Sequence, residues 1–243
     1  MLHKRFGFVL LAGFGVFAAM PATVNADVID TFDNGINLGA WRLTTNPNML
    51  YQIEPSGGNP GAYLHGQVST AVPTWYVSNP TANPFLGDYA AEGVTSFGFD
   101  MKIAGGVQVP NRNMTLHLLT TLGTGNPSLG IEAYNVGTDI SFFTPGWHNY
   151  TYTFDAASLT IPPGWVVFKG NGSPGTNADW HNLMTHIEDV HMALGTPGFF
   201  YPNLGVWDLG LDNVTLGMAP GPGTGAAIVM LLGFAPFRRR TDR

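Results

Sequence analysis

The stretch Val94-Thr95-Ser96-Phe97-Gly98-Phe99-Asp100-Met101-Lys102-Ile103 alternates Phe97, Phe99, Met101 and Ile103 against Ser96, Gly98, Asp100 and Lys102. A period of two puts the four apolar side chains on one face of an extended strand, which predicts one buried and one solvated side. His148, Tyr150, Tyr152 and Phe154 alternate in the same way with Asn149, Thr151 and Thr153. Shorter candidates occupy Val28 to Phe32, Met49 to Glu54, Ala62 to Val68, Thr74 to Ser78, Met114 to Leu122, Leu129 to Val136, Asp189 to Leu194 and Val206 to Leu216. Turn dipeptides separate them, among them Gly57-Gly58-Asn59-Pro60, Gly105-Gly106, Asn126-Pro127 and Pro145-Gly146. Many short strands at such spacing predict an all-β fold, an antiparallel β-sandwich of jelly-roll type.

One segment departs from the period of two. Between Ala178 and Ile187, the residues Trp180, Leu183, Met184 and Ile187 fall at i, i+3, i+4 and i+7, with Asn177 or Asp179 placed to cap the start. This spacing predicts one short helix. No repeat of 20 to 50 residues is visible, which argues against a solenoid or propeller.

The two ends differ from the middle. His3, Lys4 and Arg5 precede an apolar run from Phe6 to Met20, and Val24-Asn25-Ala26 offers small residues at −3 and −1, the three parts of a cleavable signal peptide over residues 1–26. Residues 27–216 then form one domain, and residues 217–243 a linker, an apolar segment from Ala226 to Phe237, and Arg238-Arg239-Arg240. The expected location is exported, at the cell envelope or beyond it, with the membrane involved only through the signal and the tail. The absence of cysteine excludes disulfides, thiolate metal sites and a cysteine nucleophile. Between Asp27 and Leu216, fifteen acids face Arg42, Lys102, Arg112 and Lys169, a net charge of −11 with histidine neutral. A domain this acidic should not bind nucleic acid, whose phosphates need clustered Lys and Arg.

The tail resembles the PEP-CTERM class of bacterial sorting signals on Pro220-Gly221-Pro222, the apolar segment and Arg238, Arg239 and Arg240. It departs from that class in having Gly221 where the family name implies Glu. The resemblance implies an exosortase-like sorting protease as a partner. In the domain, Trp147-His148-Asn149-Tyr150-Thr151-Tyr152, the segment Trp180 to Leu194 and Leu209 to Leu216 look like the second half of a laminin B module. Asp30-Thr31-Phe32-Asp33 with Gly39-Ala40-Trp41 is similar to its first strand and to that of jelly-roll carbohydrate-binding modules. These resemblances imply first and last strands that meet, and an adhesive or glycan-binding role.

If those strands pair, Asp30 and Asp33 converge with Asp212 and Asn213, an oxygen set suited to a structural calcium; the alternative is that they bond backbone amides. His181, His186 and His191 recur at five-residue steps, but on a helix successive members turn by about 140°, so three cannot share one face. Glu132 and Asp139 are the best-looking carboxylate pair for glycoside hydrolysis, which needs two carboxyls roughly 5 to 9.5 Å apart. No G-x-S-x-G, H-E-x-x-H or P-loop occurs. Aromatic side chains are the candidate ligand contacts, because sugar rings present C–H faces that stack on them: Trp75, Tyr76, Tyr134, Tyr201 and Trp207. The expectation is a non-catalytic surface module that binds polysaccharide or extracellular matrix. The alternatives are a ligand-free structural surface or biofilm protein, or a polysaccharide-active hydrolase or lyase.

Overall fold

The computed structural model describes residues 26–44, 50–78, 83–106, 111–122, 124–126, 129–203 and 205–219. Residues 1–25 of the expected signal peptide and the tail residues Pro220, Gly221, Pro222, Arg238, Arg239 and Arg240 lie outside the described residues. Two antiparallel sheets form a sandwich. In the first, β3 (Tyr51–Glu54), β4 (Tyr63–Ser69), β12 (Val206–Met218), β6 (Val94–Gly106) and β9 (His148–Thr153) lie side by side, and β1 (Val28–Asp30) joins along β12. In the second the order is β10 (Trp165–Lys169), β8 (Ile131–Ile140), β7 (Arg112–Thr120), β11 (Asp189–Leu194), β5 (Thr74–Ser78) and β2 (Arg42–Leu43). The first and last strands meet as the resemblance implied, with Asp30 opposite Val214.

The alternation that predicts β6 decides its packing. Phe97, Phe99 and Met101 have no exposed surface and Ile103 very little, and they face a layer built from Leu116 and Leu118 of β7, Val190 and Met192 of β11 and Trp75 of β5. Trp41, fully buried just before β2, meets Phe85 and Phe97 edge-on with ring centroids 5.1 and 6.1 Å away. Asn37 holds it there, accepting from the Trp41 N–H at 2.8 Å and donating to its carbonyl at 2.9 Å.

In β12 the alternation slips once. Leu209 and Leu211 face inward, and so do Val214 and Leu216, one position out of phase. A bulge absorbs the difference: the β12–β6 register shifts between Asp212 and Thr215, and Asn213 takes a left-handed backbone with φ of 48°. Asn tolerates that conformation better than most residues. The bulge keeps apolar residues inside on both of its flanks.

The predicted helix is α2 (Asn177–Met184), one turn shorter than its apolar spacing suggested. Its cap is Thr176, whose hydroxyl accepts from the Asp179 N–H while the Asp179 carboxylate accepts from the Thr176 N–H, a reciprocal capping box. Ile187 lies beyond the helix and pairs with Gly87 in an isolated bridge. A second, one-turn helix, α1 (Tyr89–Glu92), is capped by Asp88. Replacing Trp41 by Ala should lower the unfolding free energy by roughly 3–5 kcal/mol, the range for emptying a large aromatic site. Urea denaturation of Trp41→Ala checks this, and a loss below about 1 kcal/mol would contradict the packing described.

Candidate functional site

Since the two sheets bury their inner faces against each other, a ligand can meet only an outer face, an edge or a loop. The outer face of the first sheet is occupied by its own side chains. The Lys102 ammonium lies 3.8 Å from the centroid of Tyr63 and 4.4 Å from that of Trp147, and donates to the Gly57 carbonyl at 2.9 Å. Gly210 makes room beneath, since a Cβ there would come within 2.8 Å of Lys102 and 2.9 Å of Trp147. Beside them His65 bridges Glu54 at 3.0 Å and Asp208 at 2.6 Å.

The outer face of the second sheet is open and aromatic. Burial of Trp75, Leu116, Ala133, Val167 and Met192 turns their neighbours Tyr76, His117, Tyr134, Phe168 and His191 outward, all half-buried. The strand register sets them side by side: Tyr76 opposite His191, His191 opposite His117, His117 opposite Tyr134. Ring centroids follow at 5.8 Å from Tyr76 to His191, 6.5 Å to His117, 5.8 Å to Tyr134 and 5.9 Å to Phe168. Rings thus cross five neighbouring strands in an unbroken series. The turn carrying Thr196, Pro197, Gly198 and Phe199 forms a wall, making a groove of about 420 Å³ over His117, Glu132 and His191. A neighbouring hollow of about 430 Å³ extends it over Tyr134 and Phe168.

Three titratable groups, Glu132, His117 and His191, sit within the ring series. Glu132 lies 2.6 Å from His117 Nδ1, and that hydrogen bond holds its carboxyl below the usual carboxylate range. Desolvation, with the neighbouring His117 adding to it, pushes His191 down to about 4. The groove therefore keeps one anionic carboxylate and a neutral imidazole near neutral pH.

The sequence-derived candidates fall in different places. Tyr76 and Tyr134 lie on the open face. Trp75 and Trp207 do not: both are fully buried, Trp75 because it is the inward partner of Tyr76 in the alternation, Trp207 because it opens the inward series of β12. Tyr201 stacks on the guanidinium of Arg112, 4.2 Å from its centroid, with Trp207 on the same cation at 4.8 Å. Its hydroxyl accepts from the Thr196 N–H at 3.2 Å, so it braces the groove wall from behind.

Asp30, Asp33, Asp212 and Asn213 have hydrogen-bond duties. Asp30 accepts from the N–H of Gly39 at 2.9 Å and of Phe32 at 3.3 Å, and Asp33 from that of Ala62 at 3.1 Å. Asp212 accepts from the N–H groups of Asn59 and Asn213 at 2.5 and 2.8 Å, and burial pushes its carboxyl up to about 6. The Asn213 amide donates to Asp100 at 2.7 Å. Backbone N–H groups thus engage the oxygens of Asp30, Asp33 and Asp212, the Asn213 amide turns to Asp100 instead, and among the described residues no group of three or more His, Asp or Glu is placed to hold a metal.

Glu132 and Asp139 both belong to β8, seven residues apart, which at about 3.3 Å per residue is roughly 23 Å, far beyond the spacing of a glycosidase pair. Asp139 is bonded to the Asn113 amide at 2.6 Å. His181 lies in α2 and His191 in β11, in separate elements. His117 and Phe168 are the site residues that the sequence candidates omit. The alternation of Met114, Leu116 and Leu118 around His117 carries that signal, whereas Trp165–Lys169 is a short apolar run without alternation, ambiguous between strand and core.

No protein-family model matches the chain, and no curated protein matches it. Among solved structures it is similar to the family 11 carbohydrate-binding module from Clostridium thermocellum in complex with a β-1,3-1,4-mixed-linked tetrasaccharide, with a TM-score of 0.43 and 13% identity over 83% of this chain and 99% of that one. A xylan-binding domain of carbohydrate-binding module family 22 gives a TM-score of 0.45 and 11% identity over 79% and 94%. An exo-β-agarase gives 0.45 and 12% over 83% of this chain and 26% of that one.

The depressed His191 makes a prediction with a definite sign. In the unfolded chain it takes a proton near 6.5, in the fold only near 4, so its contribution to stability is complete above 6.5 and is lost as pH falls through 4. An NMR titration should place His191 near 4, and His191→Gln should flatten the loss of stability between pH 6.5 and 4. An imidazole titrating above 6 would contradict the desolvated placement.

Proposed function

We propose that this chain is a non-catalytic module that binds a polysaccharide along the outer face of its second sheet. The observation that carries this reading is the ring series Tyr76, His191, His117, Tyr134 and Phe168, laid across adjacent strands and walled on one side by the 196–199 turn. Sugar rings present C–H faces to such aromatic surfaces, and a groove that spans several strands suits successive residues of an extended chain better than a single small molecule. Glu132 and His117 supply hydrogen-bonding edges between the rings, which orient hydroxyls. An ionised Glu132 in a strongly acidic domain favours a neutral polymer over a uronate.

Catalysis by paired carboxylates has no support from Glu132 and Asp139, given their separation along one strand. We further propose that the module works outside the cytoplasm, exported by residues 1–26 and retained at the envelope through the 217–243 tail by an exosortase-like protease. The absence of cysteine and the acidity of the domain agree with that setting.

Affinity electrophoresis in gels containing soluble β-glucan or xylan, with alginate as the acidic comparison, tests the binding reading. The wild type should be retarded by a neutral polymer, and Tyr134→Ala or Tyr76→Ala should weaken binding about 3- to 10-fold, as the loss of one stacked ring implies. Phe143→Ala removes a ring outside the groove that is more exposed than Tyr76 or Tyr134, 63% accessible, and should change nothing. Unchanged mobility of the wild type in every polymer, or equal effects of Phe143→Ala and Tyr134→Ala, would overturn the proposal.

A further inference from the structure

Strand β9 ends the first sheet, and among the described residues no strand pairs with its outer edge. Its alignment with β6 pairs Ser96 with Thr153, Gly98 with Thr151 and Asp100 with Asn149, without a register shift. The Phe154 N–H donates to the Thr95 carbonyl at 2.9 Å, one step past the last of these pairs. Because hydrogen-bonded and non-hydrogen-bonded pairs alternate along an antiparallel ladder, Tyr150 and Tyr152 direct their backbone groups to β6, and Asn149, Thr151 and Thr153 direct theirs away from it. None of these three outward N–H and C=O pairs has a backbone partner among the described residues.

Other edges are defended. The chain after β10 folds back on it, with Lys169 N–H on the Ser173 carbonyl and Gly175 N–H on the Val167 carbonyl; β2 has two residues; β3 carries Glu54. From Asn149 to Thr153, β9 has no Pro, Lys, bulge or charge, the usual devices against edge-to-edge pairing. A cleft of about 340 Å³ runs beside it, with Asn135, Gly137, Thr138 and Pro163 on the far wall, so the edge has room alongside. Tyr150, in the cleft lining, keeps a buried hydroxyl without a hydrogen-bond partner in the described structure.

We propose that β9 is an association edge at which two copies of this chain join antiparallel about a two-fold axis through Thr151, merging their first sheets into one. A second extended backbone answers such a row of outward N–H and C=O groups all at once, and this segment answers itself: Thr151 meets Thr151 of the second copy, and Asn149 meets Thr153. Threonine pairs across strands are favourable, and an uncharged segment lets two acidic molecules meet where like charges are absent. The proposal does not depend on the polysaccharide groove, which lies on the other sheet.

Sedimentation velocity of the full chain from micromolar to millimolar concentration should show a monomer–dimer equilibrium. Thr151→Pro deletes an outward N–H that β6 does not use, so the fold should persist with an unchanged far-ultraviolet spectrum while the dimer Kd rises at least about tenfold. Thr151→Lys, a charge on the same edge, should do the same and stands in if the proline variant does not fold. A wild type that stays monomeric at millimolar concentration, a dimer indifferent to both substitutions, or a monomer that captures an unrelated extended peptide at β9 would overturn it.

Discussion

Everything the open face offers depends on the register among β5, β11, β7 and β8. A strand has two sides, and a slip of one residue exchanges them. With Trp75, Met192, Leu116 and Ala133 drawn inside by the removal of apolar surface from water, Tyr76, His191, His117 and Tyr134 have no choice but to face out, and the pairing places them in line. The core and the groove are therefore one constraint seen from two sides. A change that loosens the core layer should disturb the ring series without touching a single ring.

The other sheet shows what happens when polar groups are spent on architecture. Asp30, Asp33 and Asp212 tie the 31–41 and 55–62 segments down through backbone N–H groups, and Lys102 fills the aromatic surface between Tyr63 and Trp147. Burying Asp212 raises its carboxyl toward 6, a cost that its two N–H donors offset only in part. In the groove, by contrast, the rings are half-buried and no lysine or arginine lies over them among the described residues. The asymmetry between the two outer faces distinguishes scaffold from candidate site.

Much of the fold was legible in the alternation. Phe97 to Ile103 and Tyr150 to Phe154 declare their buried faces outright, and Trp180, Leu183 and Met184 declare a helix. The cap was less legible, because Thr176, Asn177 and Asp179 are all competent and only the folded chain shows which bonds which. The bulge at Asn213 was written in the sequence as one residue too many between Leu211 and Val214, but reading it requires knowing that both flanks face the same core. The site was legible only in part. Tyr76 and Tyr134 could be named because their residue type suits a ligand, yet the same criterion named Trp75 and Trp207, which the core claims for their size. Residue type says what a side chain could do, and phase within the strand says whether it can be reached. Applying phase to Met114–Thr120 would have brought out His117.

The central claim is that the ring series is where the ligand lies, and an NMR footprint tests it most directly. Titrating the protein with a soluble neutral oligosaccharide should shift the aromatic and imidazole resonances of Tyr76, His117, Tyr134, Phe168 and His191 together, leaving Trp147 and Tyr63 on the opposite sheet in place. Shifts concentrated at Trp147 and Tyr63, or along β9, with the ring series silent, would contradict the account.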